Sequence, residues 1–499
     1  MDWPNLIWFV SYTAVLLGLS AYGVHRFLII FLYFKHARTD PRPLDRFAEL
    51  PVVTVQLPVF NELHVVERLI RSVGELHYPK DRLQIQILDD STDETTGICE
   101  QEAARLRAQG FDVEVRHRSD RTGFKAGALE EGMQSARGEF IFILDADFVP
   151  PTGILLEMIH YFTDPQVGMV QSRWGHLNRG YSLLTRIQAM FLDGHLLMEQ
   201  TARSRSGRFF NFNGTGGIWR RSCITDAGGW QHDTLTEDLD LSYRAQLAGW
   251  RFVFLKDVVS PAELPVDMNG FKSQQHRWTK GSIQTCKKML SKVWRSPVPF
   301  FVKLEATAHL TSNFAYLLLV LLCFLIFPSE TRLEWKWELL LSIPIFIAAS
   351  VSVMVFYVVS QRELHPRTWL RELIYLPLLL ALGIGMSINN GKAVLEALFN
   401  RHSAFNRTPK YGIQNRKSNW RRSRYRALRS VTPIIEIALA LYFTGLVVYA
   451  VHCGYWGSVP FLLLFQGGFL YVAGCSLAQF FPTRWNGDNR SNEDHALPA

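Results

Sequence analysis

The sequence predicts an α/β domain of the doubly wound type inserted between transmembrane helices. Two observations lead to this fold class. Apolar stretches of about 20 residues or more, the length needed to cross a bilayer, lie before and after a water-soluble block that runs from about residue 50 to 265. Within that block, β-rich and helix-like stretches alternate, as they do in a parallel sheet that carries helices on both faces.

The N-terminal segment 1–34 is predicted to be a transmembrane helix, because residues 6–34 form a long apolar run. The run has neither a basic leader nor a small-residue cleavage site, which favours a retained helix over a signal peptide. Four further runs have spanning length. They cover residues 310–327, 339–359, 431–451 and 457–481.

The distribution of basic residues predicts the orientation in the membrane. Lys35, Arg38, Arg42 and Arg46 follow the first apolar run, and loops rich in lysine and arginine stay on the cytoplasmic side. Segment 35–50 is therefore expected to be a cytoplasmic linker, and the α/β block after it a cytoplasmic domain.

The apolar stretch 373–388 is predicted to be interfacial or re-entrant. It is short and is broken by Pro377, Gly383 and Gly385. If it crossed the bilayer, the basic loop 391–430, with eleven Lys and Arg residues against one Glu, would lie outside and invert the charge rule. The expected topology therefore has five spans and a cytoplasmic C-terminus.

Charge and cysteine content exclude some classes of protein. The net charge of +8 is explained by basic cytoplasmic loops, so no nucleic-acid partner is expected. The six cysteines lie far apart without a CxxC pair, which indicates neither a zinc site nor a disulfide framework.

Four β-rich runs define the predicted sheet. They are residues 52–59, 83–90, 112–118 and 139–147, separated in part by helical patterns at 63–76 and 95–109. Doubly wound sheets bind ligands at the carboxyl ends of their strands. The chain has neither a GxGxxG turn nor a GxxxxGK[ST] loop, so the dinucleotide and P-loop interpretations lose support.

Acidic side chains follow the fourth predicted strand. Asp145 and Asp147 lie directly after an apolar run, and alternation along a strand puts both carboxylates on one face. Two like charges so close together favour a bound cation. Carboxylate oxygens suit Mg²⁺ or Mn²⁺, so the sequence predicts a divalent-metal site here.

A second acidic cluster, residues 89–94, follows the second predicted strand and has two interpretations. In one, Asp89 and Asp90 contact a ligand. In the other, Ser91 and Glu94 form a helix capping box and Asp90 is a turn residue.

Six motifs, in this order and spacing, resemble the family-2 glycosyltransferases, specifically the membrane-embedded processive branch. That branch includes cellulose synthase, hyaluronan synthase and the plant cellulose-synthase-like mannan and glucan synthases, of which the mannan-synthase-like members look nearest. The resemblance is close over about residues 50–300 and looser in the membrane part. The motifs are LDDSTDET (88–95), GFKAGAL (123–129), LDADF (144–148), FNGTGGIWR (212–220), LTEDLDL (235–241) and QQHRW (274–278).

The resemblance implies a GT-A-like domain that binds a nucleotide sugar, with Mg²⁺ or Mn²⁺ held on the donor diphosphate by Asp145 and Asp147. Asp147 would be the more direct ligand. Lys125 would add a positive charge at the phosphates, although it could instead be a solvated loop lysine. The implied donor-binding residues are Phe60 and Glu62 beside the base, Asp89 and Asp90 at the base and ribose, and Lys125, Asp145 and Arg277 at the diphosphate.

The resemblance also implies a general base. Transfer with inversion from an α-linked nucleotide sugar requires that the attacking hydroxyl lose its proton, and similarity to the family's TED motif gives this role to Asp238. Thr236 and Glu237 would support it at the start of a helix. Acids at a helix N-terminus also complement the helix dipole, and Thr234 or Thr236 could cap the helix, so both functions coexist there.

The QQHRW motif fits the family pattern QxxRW and lies in a predicted amphipathic interface helix, residues 270–300. By resemblance, Arg277 binds the diphosphate and Trp278 offers a flat apolar face to an acceptor sugar. Gln274 and Asn213 are further acceptor-binding candidates. The alternation of apolar residues and lysines is typical of a helix on a membrane surface, and both roles are expected together.

A further segment, residues 405–410, resembles the gating-loop pattern FxVTxK of cellulose synthase, with Arg407 in place of valine. By resemblance, Thr408 and Lys410 are donor-binding residues. The complete expected organisation is a cytoplasmic glycosyltransferase domain at 51–269, the interface helix, and a membrane domain at 301–499.

The leading functional hypothesis is a processive synthase that transfers a hexose from GDP-mannose, GDP-glucose or UDP-glucose to a growing β-glycan. The alternative is a glycolipid synthase that acts on ceramide, diacylglycerol or polyprenyl phosphate. A catalytically silent scaffold is disfavoured, because every acidic position that the chemistry needs is present. The expected partners are the donor, a glycan or lipid acceptor and membrane lipids. The expected location is an inner or plasma membrane in a bacterium, or the Golgi or plasma membrane in a eukaryote.

Thr408→Ala and Lys410→Ala are each expected to weaken donor turnover without unfolding the protein, because the gating-loop resemblance places both side chains at the donor. Steady-state kinetics and thermal unfolding of each purified variant provide the measurement. Wild-type kinetics in both variants would remove the assignment.

Overall fold

A seven-stranded sheet forms the centre of the α/β domain that the sequence predicts at residues 51–269. The computed structural model describes residues 3–36, 39–326, 343–401, 407–413 and 431–479. The strand order is β3-β2-β1-β4-β6-β5-β7. The strands are β1 Val53–Val59, β2 Leu83–Asp89, β3 Asp112–His117, β4 Phe140–Ile143, β5 Val167–His176, β6 Gly217–Arg220 and β7 Arg251–Ala262.

The predicted fold class is confirmed. The four strands expected from the sequence pair in parallel, with β1 between β2 and β4 and with β3 outside β2. The other three strands had no counterpart in the prediction. Of these, β6 runs antiparallel between β4 and β5, and β7 pairs in parallel with β5 at the edge.

The described helices surround this sheet and extend beyond it. Short helical turns also occur at Lys80–Arg82, His160–Thr163 and Gly194–Glu199. The helices are α1 Trp3–His36, α2 Val66–Gly74, α3 Thr95–Ala108, α4 Phe124–Ser135, α5 Ile154–Ile159, α6 Leu183–Asp193, α7 Gln200–Arg205, α8 Arg221–Asp226, α9 Glu237–Leu247, α10 Met268–Arg295, α11 Phe300–Thr311, α12 Phe314–Leu325, α13 Ile343–Leu364, α14 Trp369–Leu398, α15 Thr432–His452 and α16 Val459–Ala478.

Strand β1 shows how the sheet is buried on both faces. Its apolar side chains, among them Val55, join the core beneath α2 and α3. Its polar side chains point the other way and are paired across to β2, with Thr54 Oγ1 donating to Gln84 at 2.8 Å and Gln56 Nε2 donating to Gln86 at 3.0 Å. Buried polar groups are tolerated because they are hydrogen-bonded, so β1 remains central.

Helix α10 differs from the predicted membrane-surface helix, because two of its lysines are buried. Lys272 Nζ donates to Glu436 of α15 at 2.8 Å, and Lys280 Nζ donates to Glu396 of α14 at 3.1 Å. A repeating lysine pattern indicates a solvated face only where no acidic partner packs against it. Here α10 is enclosed between the sheet domain and two membrane-type helices.

Five helices are long and apolar enough to cross a bilayer within the described ranges. They are Leu6–His36, Ile343–Leu364, Trp369–Leu398, Thr432–His452 and Val459–Ala478. This set differs from the predicted one. The predicted span 310–327 falls in α11 and α12, two helices bent by 56° at a short break, which would make a sixth span if they act as one.

The predicted interfacial stretch 373–388 lies inside α14. By length and composition α14 qualifies as a span, yet contacts near both its ends reach the sheet domain or α10. Arg179, which follows β5, lies 3.4 Å from Glu372, and Glu396 pairs with Lys280. These contacts agree with an interfacial course, which stays a prediction together with the orientation. Parts of the other assignments, at 339–342, 402–406, 414–430 and 480–499, lie outside the described residues.

Replacing Lys272 with methionine is expected to destabilise the protein by about 3–5 kcal/mol, because it leaves Glu436 buried without its cation. The double variant Lys272→Met/Glu436→Leu should recover most of this loss, since it removes both charges. Thermal or denaturant unfolding in detergent micelles provides the measurement. Equal destabilisation of the single and double variants would contradict the ion-pair explanation.

Candidate functional site

One cavity at the carboxyl edge of β1, β2 and β4 brings together nearly all the site residues predicted from sequence. It has a volume of about 190 Å³ and lies between the sheet, the start of α9, helix α10 and residues 407–413, hereafter the cover segment. The predicted residues that line it are Phe60, Glu62, Asp90, Lys125, Asp145, Asp147, Asn213, Thr236, Glu237, Asp238, Gln274, Arg277, Trp278, Thr408 and Lys410. Asp89 is the exception.

Asp145 and Asp147 follow β4 and face cations of the chain itself. Lys125 Nζ donates to Asp145 at 2.5 Å, and Lys410 Nζ donates to Asp147 at 2.5 Å. The backbone N–H of Asp145 donates to Thr215 Oγ1 at 2.8 Å, which fixes the turn after the strand. Both carboxylates are therefore held in the cavity with their charge compensated.

Lys125, in the first turn of α4, bridges two sides of the cavity. Besides Asp145, its ammonium donates to the carbonyl of Gly214 at 2.7 Å. Burial opposes its charge, but the carboxylates of Asp145, Glu237 and Asp238 outweigh burial and raise the pKa of Lys125. The lysine therefore stays charged, and the alternative of a solvated loop lysine does not fit this position.

Asp238 lies in the first turn of α9, across the cavity from β4. The N–H of Leu239 donates to Asp238 Oδ1 at 2.8 Å, and a side chain at Gly214 would come within 2.9 Å of Asp238 Oδ2. Burial and the neighbouring charge of Glu237 raise the pKa of Asp238 to about 7. With this pKa the carboxylate is partly deprotonated at neutral pH and basic enough to accept a proton.

Asp240 and Thr236, also at the start of α9, make contacts that hold this helix against α10. Asp240 is fully buried and pairs with Arg244 at 2.8 Å and with Lys288 of α10 at 3.0 Å. The Thr236 hydroxyl lies 3.3 Å from Thr285 Oγ1 instead of capping the helix. Opposite it, a side chain on Gly281 would approach Thr236 to 2.5 Å, so glycine there permits the close contact of α9 and α10.

Asp89 does not line the cavity, so the structure does not support its predicted contact with the donor. Its carboxylate is fully buried, and it accepts hydrogen bonds from Thr96 Oγ1 at 2.7 Å and from the Ser91 N–H at 3.0 Å. It is also 2.8 Å from His117 Nδ1. Successive side chains of a strand point to opposite faces, so of the two neighbouring acids Asp90 alone reaches the cavity.

Asp90 is held by an arginine fork. Arg118 donates through Nε and Nη2 to the two carboxylate oxygens of Asp90, at 2.7 and 2.6 Å. The alternative capping box is not formed, because α3 begins after Glu94 and not after Ser91. The Thr95 N–H, in the first turn of α3, donates to Asp93 Oδ1 at 3.0 Å.

Phe60 makes a cation–π contact with Arg121, a residue that was not predicted to be part of the site. The guanidinium of Arg121 lies 3.3 Å from the ring centroid, and both residues line the cavity. Arg121 Nε is also 3.9 Å from Asp90 Oδ2. The position of Arg121, four residues before Lys125 in the glycine-containing loop that leads into α4, is the signal that could have identified it.

Glu62, which was predicted to lie beside the nucleotide base, forms an ion pair with the cover segment. Arg407 pairs with both of its carboxylate oxygens, through Nε at 2.8 Å and through Nη2. Burial raises the pKa of Glu62 to about 7, and the charge of Arg407 opposes that shift. Arg407 replaces the valine of the gating-loop pattern, and no role in the site was predicted for it.

The acceptor candidates line the side of the cavity formed by α10 and β5. The ring centroids of Trp278 and Trp174 are 6.5 Å apart, and Trp174 packs edge-on to Phe148 with ring centroids 5.5 Å apart. Asn213 Oδ1 accepts from Gln200 at 2.8 Å, while its buried Nδ2 has no hydrogen-bond partner among the described residues. Trp174 was missed because β5 was not predicted.

Glu263 is a further cavity residue that sequence reasoning missed. It follows β7, pairs with Arg68 at 2.7 Å, and its carbonyl accepts from Lys410 at 3.2 Å. It obeys the rule that identified Asp145, an acid just past a strand end, but β7 had not been recognised as a strand.

The residues present fit a divalent cation that is shared with a substrate. Asp145 and Asp147 offer hard carboxylate oxygens to one cavity, and Mg²⁺ is often held by one or two carboxylates plus substrate phosphates. Within the described ranges, no group of three or more His, Cys, Asp or Glu residues is arranged to hold a metal alone. The predicted cation would therefore depend on oxygens of the donor.

Comparison with known proteins gives the family. The sequence family described as "Glycosyltransferase like family 2" matches residues 51–281. Glucomannan 4-beta-mannosyltransferase 1 from Cyamopsis tetragonoloba is 33% identical over 462 residues, covering 88% of this chain and 84% of the relative. Glucomannan 4-beta-mannosyltransferase 7 from Arabidopsis thaliana is 34% identical over 368 residues, covering 67% of this chain and 66% of the relative.

Among solved structures, the mannosyltransferase PcManGT from Pyrobaculum calidifontis, in complex with GDP-Man and Mn²⁺, has a TM-score of 0.51 and 19% identity. The match covers 78% of this chain and 100% of that one. At this identity the likeness concerns the fold. The α/β sheet with its acidic strand ends, together with the sequence relatives, defines a glycosyltransferase. The chain belongs to glycosyltransferase family 2 and is a hexosyltransferase, which confirms the resemblance seen in its motifs.

Proposed function

We propose that the protein is an inverting membrane mannosyltransferase that moves mannose from GDP-mannose to a growing β-glycan. The observation that carries the proposal is the convergence of Asp147, Asp238 and Arg277 on one cavity, although the sequence separates them widely. The sugar is inferred from the sequence relatives, which are named glucomannan 4-beta-mannosyltransferases. GDP-glucose and UDP-glucose remain the competing donors.

Binding of the donor diphosphate is assigned to the cationic side of the cavity. Lys125, Arg277 and Lys410 line it together, and charge-assisted contacts with phosphate oxygens are the strong hydrogen bonds of such sites. The buried hydroxyl of Thr408 has no hydrogen-bond partner among the described residues, so it is available to a phosphate. These groups would neutralise the charge that develops as the C1–O bond to the diphosphate breaks.

A divalent cation, Mg²⁺ or Mn²⁺, would be held by Asp145 and Asp147 with the donor diphosphate. When bound, it supplies additional neutralisation of leaving-group charge. Both carboxylates already carry a lysine partner at 2.5 Å. Phosphate oxygens of a bound donor would be new acceptors for these lysines, and the carboxylate oxygens of Asp145 and Asp147 would then be available to the cation.

Asp238 is assigned as the general base. It removes the proton from the acceptor hydroxyl while the oxygen forms its bond to C1 and the bond from C1 to the diphosphate breaks, which inverts the configuration. Glu237 keeps the pKa of Asp238 high, and Lys125 and Arg277 keep it from rising further. The faces of Trp278 and Trp174 are suited to stacking on the acceptor sugar, with Asn213 and Gln274 as polar contacts.

Asp238→Asn is expected to lower the transfer rate by about 10²–10⁴-fold with donor binding retained.

In the wild type, kcat/KM should fall below about pH 7, because protonated Asp238 cannot accept a proton. In Glu237→Gln this acid limb should move to lower pH, since a neighbouring negative charge is lost. Asp233→Asn, an exposed acid outside the cavity, serves as the control. Full activity of Asp238→Asn would refute the assignment.

Purified full-length enzyme with radiolabelled GDP-mannose is expected to form a polymer, and GDP-glucose and UDP-glucose should be used less efficiently. Sizing of the product separates the two acceptor classes. Release of the label into organic solvent as a single-sugar lipid would replace the glycan synthase with the glycolipid synthase. Preference for UDP-glucose would contradict the donor assignment.

A further inference from the structure

The cover segment, residues 407–413, closes one side of the donor cavity. Thr408 is 4% exposed and Ile413 is 1% exposed, so the segment is packed into the protein. Tyr411 donates to Asp267 at 3.1 Å, and a side chain at Gly412 would come within 2.7 Å of the His64 carbonyl. The segment is therefore in close contact with the loop between β1 and α2.

Arg407 makes the most complete contact between the cover segment and the sheet domain. Its guanidinium pairs with both oxygens of Glu62, and its Nη1 donates to the Asn61 carbonyl. The side chains of Arg407 and Glu62 are 15% and 13% exposed. A bidentate pair of this kind fixes orientation as well as distance, and it is stronger when shielded from water.

The loop between β1 and α2, which Arg407 contacts through Asn61 and Glu62, is itself held by hydrogen bonds to the end of β2. The Asn61 N–H donates to Ser91 Oγ at 2.9 Å, and the Thr92 N–H donates to Asn61 Oδ1 at 2.8 Å. Asn61 adopts a left-handed backbone conformation, φ 53°, that these bonds support. The anchor of the cover segment is thus tied to the carboxyl end of β2.

We propose that Arg407 is a positioning residue which, through Glu62, holds the cover segment over the donor cavity before a nucleotide sugar binds. Thr408 and Lys410, one and three residues further on, are then presented to the donor without a prior ordering of the chain. Ordering a segment on binding costs conformational entropy and weakens affinity, and preorganisation removes that cost. The valine that the gating-loop pattern has at this position could form no such pair.

Glu62 lines the same cavity as Asp147, and the pair holds the Glu62 carboxylate against Arg407. Arg407 neutralises Glu62 without taking part in the transfer. Its contribution belongs to donor affinity, and the rate at saturating donor should not depend on it. This inference rests on the proposed function, because it takes the cavity to be the donor site.

The test compares Glu62→Gln, Arg407→Gln and the double variant in the full-length enzyme, with calorimetric titration of GDP-mannose. Each single variant is expected to raise Kd about tenfold, and the double variant also about tenfold, because both substitutions break the same pair. In Arg407→Gln the kcat at saturating donor should stay unchanged. Arg71→Gln, which removes a similar arginine–glutamate contact between α2 and α3, should bind donor as the wild type does.

A Kd raised about a hundredfold in the double variant would show independent action and overturn the proposal. So would unchanged Kd in both single variants. Hydrogen exchange in the donor-free enzyme separates this inference from the proposed function. The amides of residues 407–413 should exchange faster in Arg407→Gln than in the wild type and Arg71→Gln. Equal exchange overturns the proposal, whereas failure of the wild type to bind GDP-mannose contradicts the donor assignment instead.

Discussion

Charge balance inside one small cavity is the constraint on which the rest of the site depends. Carboxylates removed from water are costly unless a cation faces them, and the chain supplies one for each of four acids in the cavity. The pairs are Asp90 with Arg118, Asp145 with Lys125, Glu62 with Arg407 and Asp147 with Lys410. Two of these pairs, Glu62 with Arg407 and Asp147 with Lys410, join the sheet domain to the cover segment, so their charges are balanced only when the two parts meet.

The same crowding of charge prepares the chemistry. In the proposed function, a donor diphosphate would bring negative charge to a place where lysines and arginines are already oriented, so little reorganisation would be needed when the leaving group departs. On the opposite side, Asp238 lacks a cation of its own at hydrogen-bonding distance among the contacts described. Burial then keeps its pKa near neutrality, where a carboxylate can act as a base. The proposed base therefore differs from the other carboxylates of the cavity in having no directly bonded cation among the described contacts.

The extent to which sequence predicts this site follows from the range of the interactions. Strands β1 to β4 and the acids after β4 were predictable, because local periodicity and strand ends determine them. Asp89 was misassigned since adjacent strand residues face opposite sides. Glu263 and Trp174 follow or lie in strands whose pattern was not recognised. Lys272 looked like a solvated residue because its partner, Glu436, lies on another helix far along the chain.

Helix α10 links the two halves of the molecule. It carries Arg277 and Trp278 into the cavity while its buried lysines are paired with α14 and α15. The family match ends at residue 281, inside this helix. A fragment that ended at that boundary would keep the sheet and Asp238, but Lys272 and Lys280 would lose their acidic partners and the cavity would lose its cover segment. The helices that are long and apolar enough to cross a bilayer therefore supply the counter-charges for the helix that lines the cavity.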